Sequence, residues 1–481
     1  MTFNSIEFFI FLPIVLFLYW IIPHKYRYIL LLIASYFFYA VFNIPLLLLI
    51  VFTTTVAYFS GLLMEKYGNS KKRRTSLLIL TLISSLGVLF FFKYFVFTSN
   101  LFLDLINLFG AGLKHLSLKL LLPVGISFYT FQTLSYVIDV YRKKIKPERN
   151  YLYFALFVSF FPQLVAGPIE RPQDLLPQLK EDKKLTGDDL VIGLRYFAVG
   201  FLKKIVIADG FATFVEKVYN SPSNATGLSV IIATILFAMQ IYCDFSGYTD
   251  IAIGTARLMG VKLTKNFDRP YSSKSIKEFW RRWHITLSSW LRDYLYIPLG
   301  GSRVTFARWC VNILIVFLVS GLWHGANLTF VVWGLLHGIY QIVETLIEKL
   351  CKKKSIKSNA LLDLLRQGIT FSLVCIAWIF FRSNSLSDAF LLISKLFSDY
   401  SKPASYTFEL MGIGYLEAIR IFISFILLIF VTNILEYKVD GDHKNFVSRK
   451  LAYMYIILAV IVGWILLISS GCESSFIYFQ F

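Results

Sequence analysis

The chain has 481 residues, of which 57% are hydrophobic, 17% are aromatic and only 16% are charged. Because soluble domains carry about a quarter charged residues, this composition excludes a disordered chain, a coiled coil and an ordinary cytosolic enzyme. It predicts an all-α polytopic membrane protein. In a soluble chain the net charge of +19 would indicate nucleic-acid binding. Here Lys and Arg form short clusters between apolar runs, which is typical of cytoplasmic loops of a membrane protein. We therefore expect no nucleic-acid partner.

The first apolar run covers residues 8–22 and is predicted to be a spanning helix that tolerates Pro13. A signal peptide is less favoured, because no Lys or Arg precedes the run and no small-residue cleavage site follows it. Basic clusters along the chain then indicate its direction in the membrane. The clusters are at residues 24–27, 71–74, 142–144, 351–354 and 449–450. If all of these clusters are cytoplasmic, both termini of the chain lie outside.

The whole chain, 1–481, is predicted to form a single membrane domain. Division of the apolar stretches at about 20 residues each predicts about ten to twelve transmembrane helices around a central tunnel. The runs at residues 154–165 and 191–208 are interrupted by Pro or Lys, so re-entrant helices are an alternative there. The last run, 451–469, is followed by an aromatic tail at residues 471–481, predicted to be extracytoplasmic.

Residues 262–303 are charged, aromatic and too long for a simple loop. A helical wheel places Trp280, His284, Leu287 and Leu291 on one face. This pattern predicts an amphipathic or re-entrant helix at the cytoplasmic membrane surface, with His284 on its buried side. The alternative is a histidine that merely packs under Trp280.

Among the six histidines, His324 is the strongest candidate for chemistry, because it lies between two strongly apolar spans. An imidazole at membrane depth is costly, and its ordinary pKa suits a general base. Gly321 and Gly325 are interpreted as room for a substrate to approach the ring; a helix-packing histidine is the alternative. His337 is interpreted as packing, with channel lining as the alternative. The remaining histidines are interpreted as solvated or structural: His24, His115 and His443.

Two further segments carry polar groups close to apolar runs. Residues 242–250 contain Asp244 and Asp250, which are six apart and so do not share a helix face. We interpret the segment as a polar tunnel wall, or else as a helix cap with solvated acids. The aromatic tail is expected to fold back into a cavity or the interface, with Tyr478 deep in the protein, or to be an interface anchor. The five widely spaced cysteines predict neither a disulfide framework nor a metal site.

Several of these segments resemble the membrane-bound O-acyltransferase family, and most closely its alginate O-acetylase and peptidoglycan O-acetyltransferase branch. The longest is residues 266–303, which include RPYSSKSIKEFWRRWHITLSSWLRDYLYIPLGG. The others, in family order, are FNS at 3–5, FPQLVAGPI at 161–169, YCDFSGYTD at 242–250 and GLWHGA at 321–326. The combination covers most of the chain and is specific, whereas any one motif alone would be weak.

The resemblance implies roles for three residues. His324 matches the catalytic histidine of the family, and His284 matches its second signature histidine. The orientation derived from the basic clusters places His284 on the cytoplasmic side and His324 at the outer end of a span. This placement would suit a tunnel approached from both faces. The tail resembles the FxYFxF motif of bacterial acyl-export acyltransferases, in which the tyrosine, here Tyr478, is thought to carry the acyl group. In the related D-alanylation systems a similar motif lies on a separate small membrane protein, so its presence on this chain favours an acetyl exporter over a D-alanyl exporter.

The resulting hypothesis is acetyl transfer from acetyl-CoA, as a substrate rather than a permanently bound cofactor, by a multi-pass protein of the bacterial inner membrane. The phosphates of acetyl-CoA would bind to four basic residues, Lys277, Arg281, Arg282 and Arg292. The alternative is that these residues anchor the segment at the membrane. An SGNH-type or serine acyltransferase at the outer face would pass the acetyl group to an exported polysaccharide such as alginate or peptidoglycan. Two other functions stay open: an acyl or D-alanyl exporter that uses an acyl-carrier protein, and a transporter of a polymer precursor.

Overall fold

A computed structural model describes residues 1–118, 120–165, 167–350 and 359–430. In these ranges the chain is helical and contains no strand, so the predicted all-α class is confirmed. The described residues form two compact units, one of Met1–Phe197 with Tyr248–Thr264 and one of Ala198–Gly247 with the described part of Lys265–Phe481. The predicted aromatic tail at 471–481, and with it Tyr478 and His443, lies outside the described residues.

The first unit begins at the N-terminus with a series of helices, the last of which continues into the second unit. In chain order these are α1 (Ile6–Ile21), α2 (His24–Ala40), α3 (Ile44–Lys66), α4 (Lys71–Leu89), α5 (Phe95–Asn107), α6 (Ile126–Tyr141), α7 (Tyr151–Ser159), α8 (Phe161–Leu164), α9 (Pro172–Lys180) and α10 (Gly187–Phe201). A π-helical turn, Phe90–Tyr94, joins α4 to α5, and a second, Leu202–Ala208, follows α10.

The helices that follow supply most of the second unit. They are α11 (Asp209–Tyr219), α12 (Gly227–Leu258), α13 (Ile276–Arg282), α14 (Ile285–Leu291), α15 (Phe306–His324), α16 (Leu328–Leu350), α17 (Ala360–Arg382), α18 (Leu386–Ser398), α19 (Ala404–Met411) and α20 (Tyr415–Phe430). A 3₁₀ turn, Pro270–Ser272, precedes α13, and a π-helical turn, Arg292–Tyr296, follows α14.

Side-chain caps fix where many of these helices begin. A Ser, Thr or Asn oxygen accepts a hydrogen bond from a backbone N–H of the first turn, as is usual at helix starts; such caps are Ser5, Asn43, Ser70, Asn150, Ser275, Thr305, Asn359 and Ser385. At Asn43 the cap is followed by Pro45 in the first turn of α3, a position that proline favours.

Six helical segments are long and apolar enough to cross a membrane, or seven if the bent pair Ala404–Met411 and Tyr415–Ile429 is one span. Apolar side chains on them are exposed, such as Leu48 (68%) and Ile83 (66%), as expected of a lipid-facing surface. The shorter α1, with 16 residues, is not among the six. The sequence predicts ten to twelve spans because it also counts shorter apolar runs and the run at residues 451–469. Residues 451–469 lie outside the described ranges, so the total number of spans stays a prediction.

The two runs with polar interruptions are broken into shorter elements. The run at 154–165 is divided between α7 and α8, with Pro162 at the start of α8. The run at 191–208 passes from α10 into the π-helical turn that contains Lys203 and Lys204. Neither is among the six long apolar segments. Whether they are re-entrant stays a prediction.

Residues 262–303 differ from the single amphipathic helix that the sequence predicts. Helix α13 ends at Arg282, and α14 begins at Ile285 after His284 adopts a left-handed backbone, with φ of +44°. A left-handed residue cannot continue a right-handed helix. The predicted continuous face from Trp280 through His284 to Leu291 is therefore wrong, and its place is taken by a sharp turn at the histidine. The cytoplasmic position of the segment stays a prediction.

Candidate active site

His324 is the last residue of α15, because Gly325 adopts an extended backbone. The side chain is only 2% exposed. Its ring contacts Trp323, Trp333 and Phe381, at centroid distances of 5.0, 4.9 and 5.3 Å. Three helices, α15, α16 and α17, thus surround one imidazole with aromatic rings. The arrangement fixes the ring in an apolar site, where an ionisable group is costly and usually functional.

The glycines around His324 serve helix packing. A Cβ atom on Gly321 would lie 2.2 Å from the carbonyl oxygen of Phe330, and a Cβ on Gly334 would lie 2.3 Å from a carbonyl oxygen of α15. A Cβ on Gly325 would lie 2.2 Å from the ring of Phe330. The interpretation of Gly321 and Gly325 as room for a substrate is therefore wrong: the small residues let α15 and α16 approach closely.

The turn at His284 is held by the segment that begins at Asn266. The backbone N–H of Ile285 donates to the carbonyl of Asn266 at 2.9 Å, and the N–H of Asp268 donates to the carbonyl of Arg282 at 2.9 Å. A left-handed conformation at a residue other than glycine costs free energy and persists where surrounding contacts enforce it. These two bonds, one on each side of the turn, enforce it here.

The Asn266 side chain also determines which nitrogen of His284 carries the proton. Its Oδ1 accepts from the N–H of Thr286 at 3.2 Å and from the Thr286 hydroxyl at 2.9 Å, and it lies 3.1 Å from His284 Nδ1. Since the Thr286 N–H can only donate, this atom is the amide oxygen, and His284 Nδ1 donates to it. In a neutral imidazole the proton is then on Nδ1, and Nε2 is the basic nitrogen.

Burial keeps this imidazole neutral. His284 is fully buried, and desolvation lowers its pKa from 6.5 to about 3. Its ring packs edge-on against Phe245 at 4.7 Å and contacts Trp323 at 5.6 Å. A neutral ring with its proton on Nδ1 can accept a hydrogen bond at Nε2.

The two signature histidines lie in one site. The ring centroids of His284 and His324 are 6.4 Å apart, and Trp323 contacts both rings. The hydrocarbon core of a bilayer is about 30 Å thick, so the expected placement of the two histidines at opposite membrane sides is wrong. Access from both faces through a tunnel stays a prediction. Two imidazoles at this distance can act on one reacting centre.

His337 is a third buried histidine of the second unit. The indole N–H of Trp280 donates to its Nδ1 at 3.2 Å, so the imidazole proton of the neutral form is on Nε2. Its ring packs against Phe279, Phe317 and Trp333. These contacts agree with the packing interpretation.

The four basic residues predicted to meet a donor differ in their surroundings. Lys277 Nζ contacts Glu348 at 2.6 Å, Arg282 contacts Glu278 at 2.7 Å, and Arg292 contacts the adjacent Asp293 at 2.8 Å. Arg281 is exposed and has no ion pair with the described residues. Of the four, Arg281 is thus the guanidinium most available to an anionic ligand.

The segment at 242–250 lies inside α12, and its first carboxylate is buried. Asp244 is 2% exposed and contacts Lys204 Nζ at 2.7 Å, while the same Nζ contacts Asp209 at 2.8 Å. A helix cap with solvated acids is therefore wrong for Asp244. Buried ion pairs need such mutual compensation. The tunnel-wall interpretation stays a prediction.

Sequence reasoning did not identify Asn266 and Lys204 as parts of these arrangements. Asn266 stands in a quoted motif, but its partner His284 follows 18 residues later, across a turn that no local signal predicts. Lys204 precedes its partner Asp244 by 40 residues and is carried by a π-helical turn. Neither residue forms a recognisable spacing with its partner.

Comparison with known proteins adds independent findings. A family model described as "MBOAT, membrane-bound O-acyltransferase family" matches residues 31–387, which include His284 and His324. The chain is 41% identical over 402 residues to "Probable alginate O-acetylase AlgI" of Pseudomonas aeruginosa, covering 83% of this chain and 75% of the relative. It is 37% identical to "Peptidoglycan O-acetyltransferase" of Helicobacter pylori (66% and 63% covered) and 31% identical to "Teichoic acid D-alanyltransferase" of Bacillus subtilis (54% and 68%).

The buried, neutral His284 predicts acid-sensitive stability. Between its folded pKa of about 3 and the ordinary value of 6.5, the unfolded chain binds more protons than the folded protein. The free energy of unfolding therefore falls as pH drops below about 6.5, by about 2 kcal/mol at pH 5 for this one group. His284→Asn removes that group. The variant should lose less thermal stability than the wild type between pH 7.5 and pH 5, measured by thermal unfolding in detergent; equal losses would contradict the prediction.

Proposed function

The chain belongs to the membrane-bound O-acyltransferase family, and we propose that it takes an acetyl group from cytoplasmic acetyl-CoA and passes it across the membrane for O-acetylation of an extracytoplasmic polysaccharide. Alginate and peptidoglycan are the proposed acceptors, because relatives that are 41% and 37% identical are named for them. The observation that carries the proposal is the pair of buried imidazoles 6.4 Å apart, inside the residues that match the family.

In this proposal His324 is the general base. It takes the proton from an attacking hydroxyl, whose oxygen forms a bond to the thioester carbonyl carbon. The C–S bond then breaks, and the leaving thiolate of coenzyme A takes the proton from the imidazolium. His284, with Nδ1 bonded to Asn266, presents Nε2 as a neutral acceptor near the same centre. The aromatic rings around His324 exclude water, which protects the thioester from hydrolysis.

The proposed attacking hydroxyl is that of Tyr478. A phenol has an ordinary pKa near 10, so it needs a base at neutral pH. The resulting acetyl ester of tyrosine presents the acyl group to the outer side. The proposal adds a partner there, an SGNH-type or serine acyltransferase, whose hydroxyl attacks the ester and passes the acetyl group to the polysaccharide. The membrane is accordingly the bacterial inner membrane.

A second candidate is D-alanyl transfer from a carrier protein, favoured by the 31% identity to a teichoic acid D-alanyltransferase. Both candidates share the thioester chemistry at His324. They differ in the donor, since a carrier protein presents an acidic protein surface and acetyl-CoA presents phosphates. Release of coenzyme A from acetyl-CoA, compared with discharge of a D-alanyl carrier protein, distinguishes them.

Removal of the base tests the proposal directly. His324→Ala should reduce polysaccharide O-acetylation in cells by at least 10²-fold, because general base catalysis contributes 10² to 10⁴ in rate. His115→Ala, at an exposed imidazole, is the matched control and should acetylate normally. Equal amounts of both variants in the membrane exclude a folding defect. Normal acetylation by His324→Ala would contradict the role of this residue and favour a transporter.

Tyr478→Phe tests the acyl relay. The variant keeps the aromatic ring and loses only the hydroxyl, so polysaccharide O-acetylation should fall to background while the protein stays in the membrane. Mass spectrometry of the wild type, trapped without its partner, should find an acetyl group on Tyr478. Full acetylation by Tyr478→Phe would remove the relay from the scheme and leave direct transfer.

The contacts of the basic residues predict which of them binds the donor. Arg281→Gln should raise the KM for acetyl-CoA about tenfold, the effect of losing one charge-assisted hydrogen bond. Lys277→Gln is the matched control and should have a smaller effect, because Glu348 already holds its Nζ. Equal, small effects in both variants would indicate that these residues anchor the segment at the membrane.

A further inference from the structure

Three fully buried tryptophans of the second unit differ in how their indole N–H groups are used. Trp378 donates to the hydroxyl of Tyr271 at 3.2 Å, and that hydroxyl donates to the carbonyl of Ala238 at 2.7 Å. The N–H groups of Trp283 and Trp333 have no acceptor among the described residues. A buried donor without an acceptor costs free energy and is rare in folded proteins. A ligand can supply the acceptor that such a donor lacks.

Of these two donors, Trp333 is the one whose ring contacts His324. Its ring is 4.9 Å from that of His324, at an interplanar angle of 88°. Trp283 packs instead against Phe267 at 5.1 Å and Phe279 at 5.5 Å. The indole of Trp333 is therefore beside the imidazole that takes the proton.

Neighbouring rings hold Trp333 in a fixed orientation. Trp378 stacks on it at 5.8 Å, and His337 packs edge-on at 5.1 Å. His337 is itself fixed by the hydrogen bond from Trp280. An N–H that is aligned before the substrate arrives needs no reorganisation during the reaction, and in a site without water its effect is large.

We propose that the Trp333 N–H donates a hydrogen bond to the acyl oxygen as the tetrahedral intermediate forms, an inference that rests on the proposed function. When the hydroxyl oxygen bonds to the carbonyl carbon, the π electron pair of the C=O bond moves onto the carbonyl oxygen. The indole N–H stabilises this oxyanion. The C=O bond then forms again, the C–S bond breaks, and the thiolate takes the proton held by His324. An indole N–H is a donor only and does not titrate, so its contribution is independent of pH.

Trp333→Phe keeps an aromatic ring and removes the donor. The kcat for acetyl transfer from acetyl-CoA should fall about 10²-fold, as on loss of one oxyanion donor, with KM for acetyl-CoA within about twofold of the wild type. Trp309→Phe is the matched control, because it also removes an indole N–H, but Trp309 donates to the hydroxyl of Tyr296 at 3.0 Å and stacks on Phe306, outside the cluster around His324. Its kcat should stay within about threefold of the wild type.

The outcomes separate a donor from a packing residue. A kcat within threefold for Trp333→Phe, or an equal loss in Trp309→Phe, would overturn the inference. If Trp333→Phe does not fold, β-(3-benzothienyl)alanine at position 333 replaces N–H by sulfur in a ring of the same shape, and the same loss of kcat is expected. An inactive His324→Ala beside a fully active Trp333→Phe would overturn only this inference. A wild type that does not use acetyl-CoA contradicts the proposed function, and a D-alanyl carrier protein as donor then tests Trp333 on the same thioester chemistry.

Discussion

The close crossing of α15 and α16 determines the geometry of the site. Gly321 and Gly334 meet there, and a Cβ on either would lie within 2.3 Å of a carbonyl oxygen of the other helix. This approach sets the end of α15, which carries His324, against the face of α16 that carries Trp333. In a membrane, helices gain little from the hydrophobic effect and associate through such close packing. A larger residue at the crossing would move the imidazole relative to its aromatic neighbours.

The sequence predicts the fold class, because the membrane composition runs through the whole chain. The motif around each histidine singles out His284 and His324, whose roles stay predictions and whose rings the structure brings to 6.4 Å. The sequence does not predict their geometry. The left-handed turn at His284 depends on Asn266, which is remote in sequence, and an amphipathic periodicity runs through the turn without interruption. The glycines near His324 stand out in the sequence, but their role depends on Phe330 of the next helix. The distances between helices follow from how their side chains pack, and the motifs in the sequence do not reveal those distances.

Within the second unit, the surroundings of His284 and those of the buried carboxylate in α12 differ in charge. At His284 burial keeps the imidazole neutral, and the Asn266 acceptor fixes its tautomer. Around α12 the fold buries full charges but compensates them, since Lys204 contacts both Asp244 and Asp209. A compensated cluster of this kind is strongly destabilised when one member is removed. A loss of function on substitution of Asp244 would therefore have to be separated from a folding defect before it is assigned to chemistry.

Helix α13 is tied to α16 by two contacts from one residue. The backbone N–H of Lys277 donates to Glu344 at 3.2 Å, and its Nζ contacts Glu348 at 2.6 Å. The short helix that leads into His284 is thereby fastened to the long helix that carries Trp333. Because α13 ends only two residues before His284, these contacts help to fix the position of the left-handed turn relative to α16.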